Sequence, residues 1–240
     1  MSTPNGFTRY QQFLLAAFVV LWIILAIKPW YRHDWLLENI LVLVLVPTGL
    51  LIARYFRLSD LSYTLITLFL ILHIFGAHYT YEKVPFGGTV SAWFGADRNH
   101  YDRLVHFSFG FLLAYPIREM FLRIASVRGV WGYVLPLDVT LSCSAIFEIF
   151  EWLVAAVVNP QAGLAYLGSQ GDIWDAQKDM ALAGLGALLT MLIIAWVNWR
   201  YDERFGAEFR DSLRVKSHMP LGEVRLRELI KAHEHRRRQE

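Results

Sequence analysis

The chain has 240 residues, of which 55% are apolar and only 18% charged, with a mean hydropathy of +0.35; soluble chains average roughly a quarter charged residues. The apolar residues lie in long blocks, several of which approach the roughly 20 residues a helix needs to cross the hydrocarbon layer. That excludes an ordinary soluble domain and points to a polytopic membrane protein. Residues 1–199 carry a net charge of −1 and residues 200–240 a net charge of +3. A basic tail therefore follows a nearly neutral body, and no nucleic-acid partner is expected. The single cysteine, Cys143, excludes an intrachain disulfide, a Cys-based zinc site and a CxxC redox motif.

Six apolar segments follow in order: 11–28, 36–56, 60–81, 101–123, 131–158 and 174–199. The first comes after Arg9, lacks a small-x-small cleavage pattern and exits at Lys28-Pro29-Trp30, which reads as a retained signal-anchor helix. Pro47 and Gly49 make a kink plausible in the second. The fifth is long enough to tilt, or to begin with a short interfacial turn before Pro136. Trp and Tyr gather near the predicted ends, as interfacial anchors do. Gly110 and Ala114 on the fourth segment and Ala183 and Ala187 on the sixth have small-xxx-small spacing, which favours close packing of those two helices.

The expected fold is an all-α integral membrane bundle of six transmembrane helices. Residues 1–10 form a cytoplasmic N-terminus, 11–199 the membrane domain and 200–240 a basic cytoplasmic tail, helical over about 221–238. Lys and Arg set the orientation. With the N-terminus inside, Arg9, Arg54, Arg57, Arg118, Arg123 and Arg128 are internal, and Lys28, Arg32, Lys83, Arg98, Arg103 and Lys178 external. The 11 basic residues of the tail and the absence of Lys and Arg from the 159–171 loop then favour N-in and C-in. Attraction to anionic headgroups suffices to account for the tail, at about 1 kcal/mol per basic residue near the surface.

Under that topology, acids concentrate on the outer half. Asp102 and His106 are i, i+4, hence about 40° apart around a helix. Glu148 and Glu151 are i, i+3, and Asp172, Asp175 and Asp179 share one face within about 60°. His78 and Glu82 share a face on the third segment, whereas His73 lies about 140° from His78. Glu148 sits roughly 15 Å below the outer end of its helix, where an unpaired carboxylate costs several kcal/mol. Each residue also has a structural reading: Asp172 as an N-cap, Asp175 and Lys178 as an exposed ion pair, His106 as a core histidine. Taken jointly they favour a shared outer-leaflet site, with Glu148, His106 and Asp102 in catalytic roles. Asp175, Asp179, Glu151, Asp172 and His78 are then the metal-ligand candidates. Carboxylate with imidazole suits Mg²⁺, Mn²⁺, Fe²⁺ or Zn²⁺, which can activate water beside a phosphate or ester. The same residues without metal make a proton relay or cation path. No HExxH, G-x-S-x-G or P-loop is present.

The runs Tyr101-Asp102-Arg103-Leu104-Val105-His106-Phe107, Phe147-Glu148-Ile149-Phe150-Glu151-Trp152 and Gly168-Ser169-Gln170-Gly171-Asp172-Ile173-Trp174-Asp175-Ala176-Gln177-Lys178-Asp179-Met180 resemble the YjdF-like family, bacterial inner-membrane proteins with a domain of unknown function. The resemblance covers about residues 10–200 and implies a multi-pass inner-membrane fold and a candidate site. A looser similarity reaches VanZ-like membrane proteins, associated with glycopeptide resistance. There a D-K-x-x-H-F motif corresponds to Asp102-Arg103-x-x-His106-Phe107, Glu148 and Glu151 stand where a Glu-x-x-Gln is expected, and Asp175 or Asp179 near an Asp. Neither resemblance implies a reaction. Three functions fit the residues: an enzyme acting on a lipid or lipid-linked envelope substrate at the outer leaflet, a proton- or cation-coupled transporter, or a non-catalytic scaffold or envelope-stress factor. Only Asp138 and the Arg118-Glu119 pair continue the polar residues inward, which favours the enzyme.

Overall fold

The computed structural model describes residues 6–93, 98–157, 170–216 and 222–237. The described residues form helices α1 (Arg9–Leu25), α2 (Arg32–Ile52), α3 (Asp60–His78), α4 (Pro85–Trp93), α5 (Tyr101–Arg123), α6 (Trp131–Val157), α7 (Asp175–Tyr201), α8 (Phe205–Ser212) and α9 (Glu223–Arg237). No strand occurs among the described residues. Each predicted apolar segment coincides with one helix, with ends shifted by a few residues. Four of them, α2, α3, α6 and α7, are long and apolar enough to cross a membrane by length and composition. Helix α1 is shorter, at 17 residues, and α5 carries charged residues toward both ends.

Local sequence explains the helix starts. Thr8 and Gln11 form a capping box on α1, the Gln11 N–H donating to Thr8 Oγ1 at 3.1 Å and the Thr8 N–H to Gln11 Oε1 at 3.2 Å. Ser59 caps α3 by accepting the Ser62 N–H. Helix α6 runs unbroken from Trp131 through Pro136, so the separate interfacial turn is not formed. Proline early in a helix forfeits few intrahelical bonds. The short α4, between the third and fourth apolar segments, has no counterpart in the expectations.

Small residues decide how the bundle closes. Helices α5 and α7 meet at Gly110, Ala114, Ala183, Gly186 and Ala187, and the three alanines have no exposed surface. A Cβ at Gly110 would overlap the Ala183 carbonyl, and one at Gly186 the Phe107 carbonyl. The backbones therefore touch, as the small-xxx-small spacing leads one to expect. Large apolar side chains such as Ile23, Leu43, Ile146, Trp152, Ile193 and Trp196 point outward, as lipid-facing residues do.

Long-range hydrogen bonds show which helix ends share a face of the bundle. The Trp30 N–H donates to the His78 carbonyl at 2.9 Å, tying the α1–α2 connection to the end of α3. Asn99, before α5, exchanges two hydrogen bonds with the Gln170 side chain, before α7. At the opposite end Glu119 of α5 accepts the Ser59 N–H and the Ser59 and Ser62 hydroxyls at the start of α3. The tail is anchored there as well: Ser212 at the end of α8 accepts the Val130 N–H through Oγ at 3.0 Å, and its carbonyl accepts Trp131 Nε1 at 3.1 Å. Helix α9 is exposed along its whole length; Leu221 and Arg238, the limits expected for the tail helix, lie outside the described residues, as does the 159–171 loop up to Ser169.

Candidate functional site

Helix periodicity builds the centre. Asp102 and His106, one turn apart on α5, lie 3.6 Å apart (Oδ1 to Nε2). From α6, Glu148 brings Oε1 to 3.5 Å from the same His106 nitrogen. From α7, Asp179 completes a group in which Asp102, His106 and Asp179 each offer one donor atom within 4.8 Å of the others. Asp179 is 2% exposed and His106 8%. Glu148 Oε1 and Asp179 Oδ1 are buried and have no hydrogen-bond partner. Buried carboxylate oxygens without partners are expensive, and two hard oxygens plus one imidazole make a donor set suited to a divalent cation. Glu151, one turn beyond Glu148, lines the same cavity as Asp102 and His106.

A second layer lies at the rim. Arg98 Nη2 is 2.5 Å from Asp175 Oδ1 and Arg103 Nη2 is 2.5 Å from Asp172 Oδ2, which Lys178 Nζ also meets at 2.5 Å. Asp172 is not the N-cap of α7, since Trp174 holds that position; instead its Oδ1 accepts the Trp174 N–H two residues on. The Lys178 ammonium, the Trp174 N–H and the Arg103 guanidinium hold the Asp172 carboxyl down to about 2. Burial, together with Arg103 and Arg98, holds His100 below the usual imidazole range. Gln170 and Gly171 both take the left-handed conformation, with φ of 48° and 85°, which turns the chain so that Gln170 faces Asn99 and Asp172 faces Arg103.

The residues picked out from sequence thus fall into three sets. Asp102, His106, Glu148 and Asp179 converge, with Glu151 beside them along the cavity. Asp172 and Asp175 adjoin this group, but their charges are engaged by Arg98, Arg103 and Lys178, so they serve the rim. His78 stands elsewhere: its Nδ1 donates to the Leu25 carbonyl at 2.7 Å, fastening α3 to the end of α1.

Sequence reasoning set His73 apart from His78 without giving it a role, and assigned none to Glu38 or Asn99. His73 is buried, with Nε2 donating to the Glu38 carbonyl at 3.1 Å. A carbonyl only accepts, so Nδ1 is the acceptor for the Tyr81 hydroxyl at 2.6 Å. Glu38 is buried, with Oε2 unpartnered, and lies within electrostatic reach of Asp102 and Glu151. An acid inside the apolar run of α2 was the available signal. Asn99 also holds the approach to α5, donating to the Glu82 and Val84 carbonyls at 2.9 Å and accepting the Tyr101 N–H at 3.0 Å.

Comparison with known proteins adds a family. The model described as "Predicted membrane protein (DUF2238)" matches residues 10–200. The chain is 43% identical over 178 residues to Inner membrane protein YjdF of Escherichia coli (strain K12), covering 72% of this chain and 85% of the relative. No solved structure matches. With the apolar helices, these similarities place the chain in the bacterial inner membrane as a multi-pass protein.

Proposed function

We propose that this chain, which belongs to the DUF2238 family of predicted membrane proteins, spans the inner membrane six times with both termini cytoplasmic. At its outer face it carries a centre for metal-assisted hydrolysis or transfer on a lipid or lipid-linked envelope substrate. The observation that carries this reading is the convergence of Asp102, His106 and Asp179 from two helices with Glu148 from a third. Asp102, His106 and Asp179 are the ligands for a cation of the Mg²⁺, Mn²⁺, Fe²⁺ or Zn²⁺ class, which would supply Lewis acidity and a lowered pKa of bound water. Glu148 takes the proton from the attacking water or alcohol, whose oxygen bonds to the phosphorus or carbonyl carbon as the ester oxygen leaves. Arg98, Arg103 and Lys178 frame the entry through Asp172 and Asp175, fixing the α5 and α7 ends that present the ligands.

A proton- or cation-coupled transporter requires polar groups continuing to the other face. Glu119 at that end is committed to Ser59, Ser62 and Arg123, and Arg118 stacks over the Tyr133 ring at 4.8 Å. These contacts support a centre that opens to one side.

The test is Mn²⁺ binding to the detergent-purified protein, followed by electron paramagnetic resonance beside element-resolved metal analysis. The wild type is expected to bind one ion, and Asp102→Asn and Asp179→Asn to lose it while keeping their thermal transitions. Undiminished binding in both folded variants would remove the cation centre.

A further inference from the structure

A cavity of about 490 Å³ runs from the polar centre into the bundle, a volume within the roughly 300–1,000 Å³ range of small-molecule sites. Its shape follows from its lining. On α5 the lining residues include Asp102, Val105, Phe109, Leu113, Pro116 and Met120, spaced three or four apart. They form one continuous stripe of that helix. Eighteen residues separate the first from the last, about 27 Å of helix, close to the roughly 30 Å depth of the hydrocarbon layer. Matching stripes come from α1, α2 and α3, while α6 contributes Cys143, Ser144, Phe147 and Glu151. The space is therefore long and predominantly apolar. Its acids and histidines, His73, Asp102, His106 and Glu151, are confined to one end, and the rest of the wall carries only scattered neutral polar side chains such as Gln11, Thr48, Tyr63 and Thr67.

That division matches an amphiphile. An ion path would need acidic or basic groups at intervals along the cavity, whereas away from the polar end this one offers only neutral side chains. A compact polar substrate would leave most of the wall without a partner. The head-group chemistry follows from the charges. Three cations, Arg98, Arg103 and Lys178, surround the two acids Asp172 and Asp175 at the rim, and the carboxylate and imidazole donors beneath them fit a divalent cation, the ordinary partner of phosphate oxygens.

We infer that the cavity is the tail site for a long-chain hydrocarbon phosphate, its chain lying along the α5 stripe between Val105 and Met120 and its phosphate at the Asp102–His106–Asp179 centre. This rests on the reading of that centre given above. It narrows the substrate class to lipids with a phosphate on a long chain.

The probe is hexadecyl phosphate carrying a terminal diazirine, added to the full-length protein in detergent with Mn²⁺ and cross-linked by light. Mapping by mass spectrometry is expected to place the label at the far end of the cavity, at Phe7, Phe56 or Met120. Excess unlabelled hexadecyl phosphate should displace it, and butyl phosphate should not. A polyprenyl phosphate and a phosphatidic acid serve as further competitors, and displacement by either supports the site and identifies the chain type. Leu113→Trp, which fills the tube away from the centre, should reduce labelling on the order of tenfold while Mn²⁺ binding is retained. Label confined to lipid-facing residues such as Ile23 and Trp196, insensitive to every competitor, would overturn the inference even if the variant failed to fold, because that mapping uses the wild type. Normal Mn²⁺ binding with no cavity label sinks the tail site alone. Cavity label without Mn²⁺ binding supports the tail site and removes the metal centre.

Discussion

Glu148 Oε1 lies 3.5 Å from His106 Nε2, although the two residues belong to different helices and are 42 positions apart in the chain. The pairing joins α6 to α5 at the level where Asp179 arrives from α7. Three helices thus share one charged locus in an apolar surrounding, so the chemistry of the site and the packing of the bundle are coupled. Perturbing one helix contact should be felt at the centre.

The closest such contact is between α5 and α7. Gly110→Val would drive a side chain into the Ala183 carbonyl, an overpacking cost of about 3 kcal/mol. The thermal midpoint in detergent should fall sharply. Gly49→Ala, in α2 where added volume meets nothing within 4 Å, should leave it nearly unchanged. Equal effects from the two variants would contradict the backbone contact.

Much of this arrangement was readable before any coordinates. The six apolar blocks were long enough to be read as helices, and alternating helix directions were expected to bring the Asp102, Glu148 and Asp179 ends to one face. Spacing alone then put Asp102 beside His106. Other partners were not readable, because they are set by side chains meeting across long stretches of chain. Nothing in the sequence near His78 shows that it binds the carbonyl of Leu25, 53 residues earlier. Likewise the Asp172–Lys178 neighbourhood does not announce Arg103, 69 residues away. Helix α8 was missed because it is only eight residues long and its anchors, Ser212 on Val130 and Trp131 and the Phe205 ring against Tyr133, lie far away in the chain.

The rim should respond to acid. Asp172 has its carboxyl held down to about 2, below the unfolded value of about 3.9. A depressed carboxylate contributes stability that is fully present above the unfolded pKa and is lost as pH falls through the folded one. The stability difference between wild type and Asp172→Asn should be constant at neutral pH and shrink between about pH 4 and pH 2. Thermal melts over that range measure it, and a difference independent of pH would show that Asp172 does not act through its charge.

Orientation is tested separately. The basic residues of the tail and the positive-inside bias lead to a cytoplasmic C-terminus. A reporter active only in the cytoplasm, fused after the last residue, should be active, and a periplasm-dependent reporter at the same point silent. The reverse pattern would turn the Asp102–His106–Asp179 centre toward the cytoplasm and remove envelope substrates from consideration.

The most discriminating substitution is Glu148→Gln. Gln keeps the volume and part of the hydrogen-bonding capacity of the side chain but lacks its charge. As the group that takes a proton beside a bound cation, Glu148 cannot be replaced in this way. Turnover of a long-chain phosphate or ester substrate should then fall by about 10²–10⁴-fold, the usual contribution of a positioned base. Mn²⁺ binding by Asp102, His106 and Asp179 should persist, because the cation keeps its three ligands. A neutral side chain next to His106 also removes the cost of burying a carboxylate charge there, so the thermal midpoint should hold or rise. Reduced turnover with retained metal and undiminished stability separates a reacting group from a structural one. Unchanged turnover in a folded, metal-bearing Glu148→Gln protein would show that this carboxylate only fills space between α6 and α5.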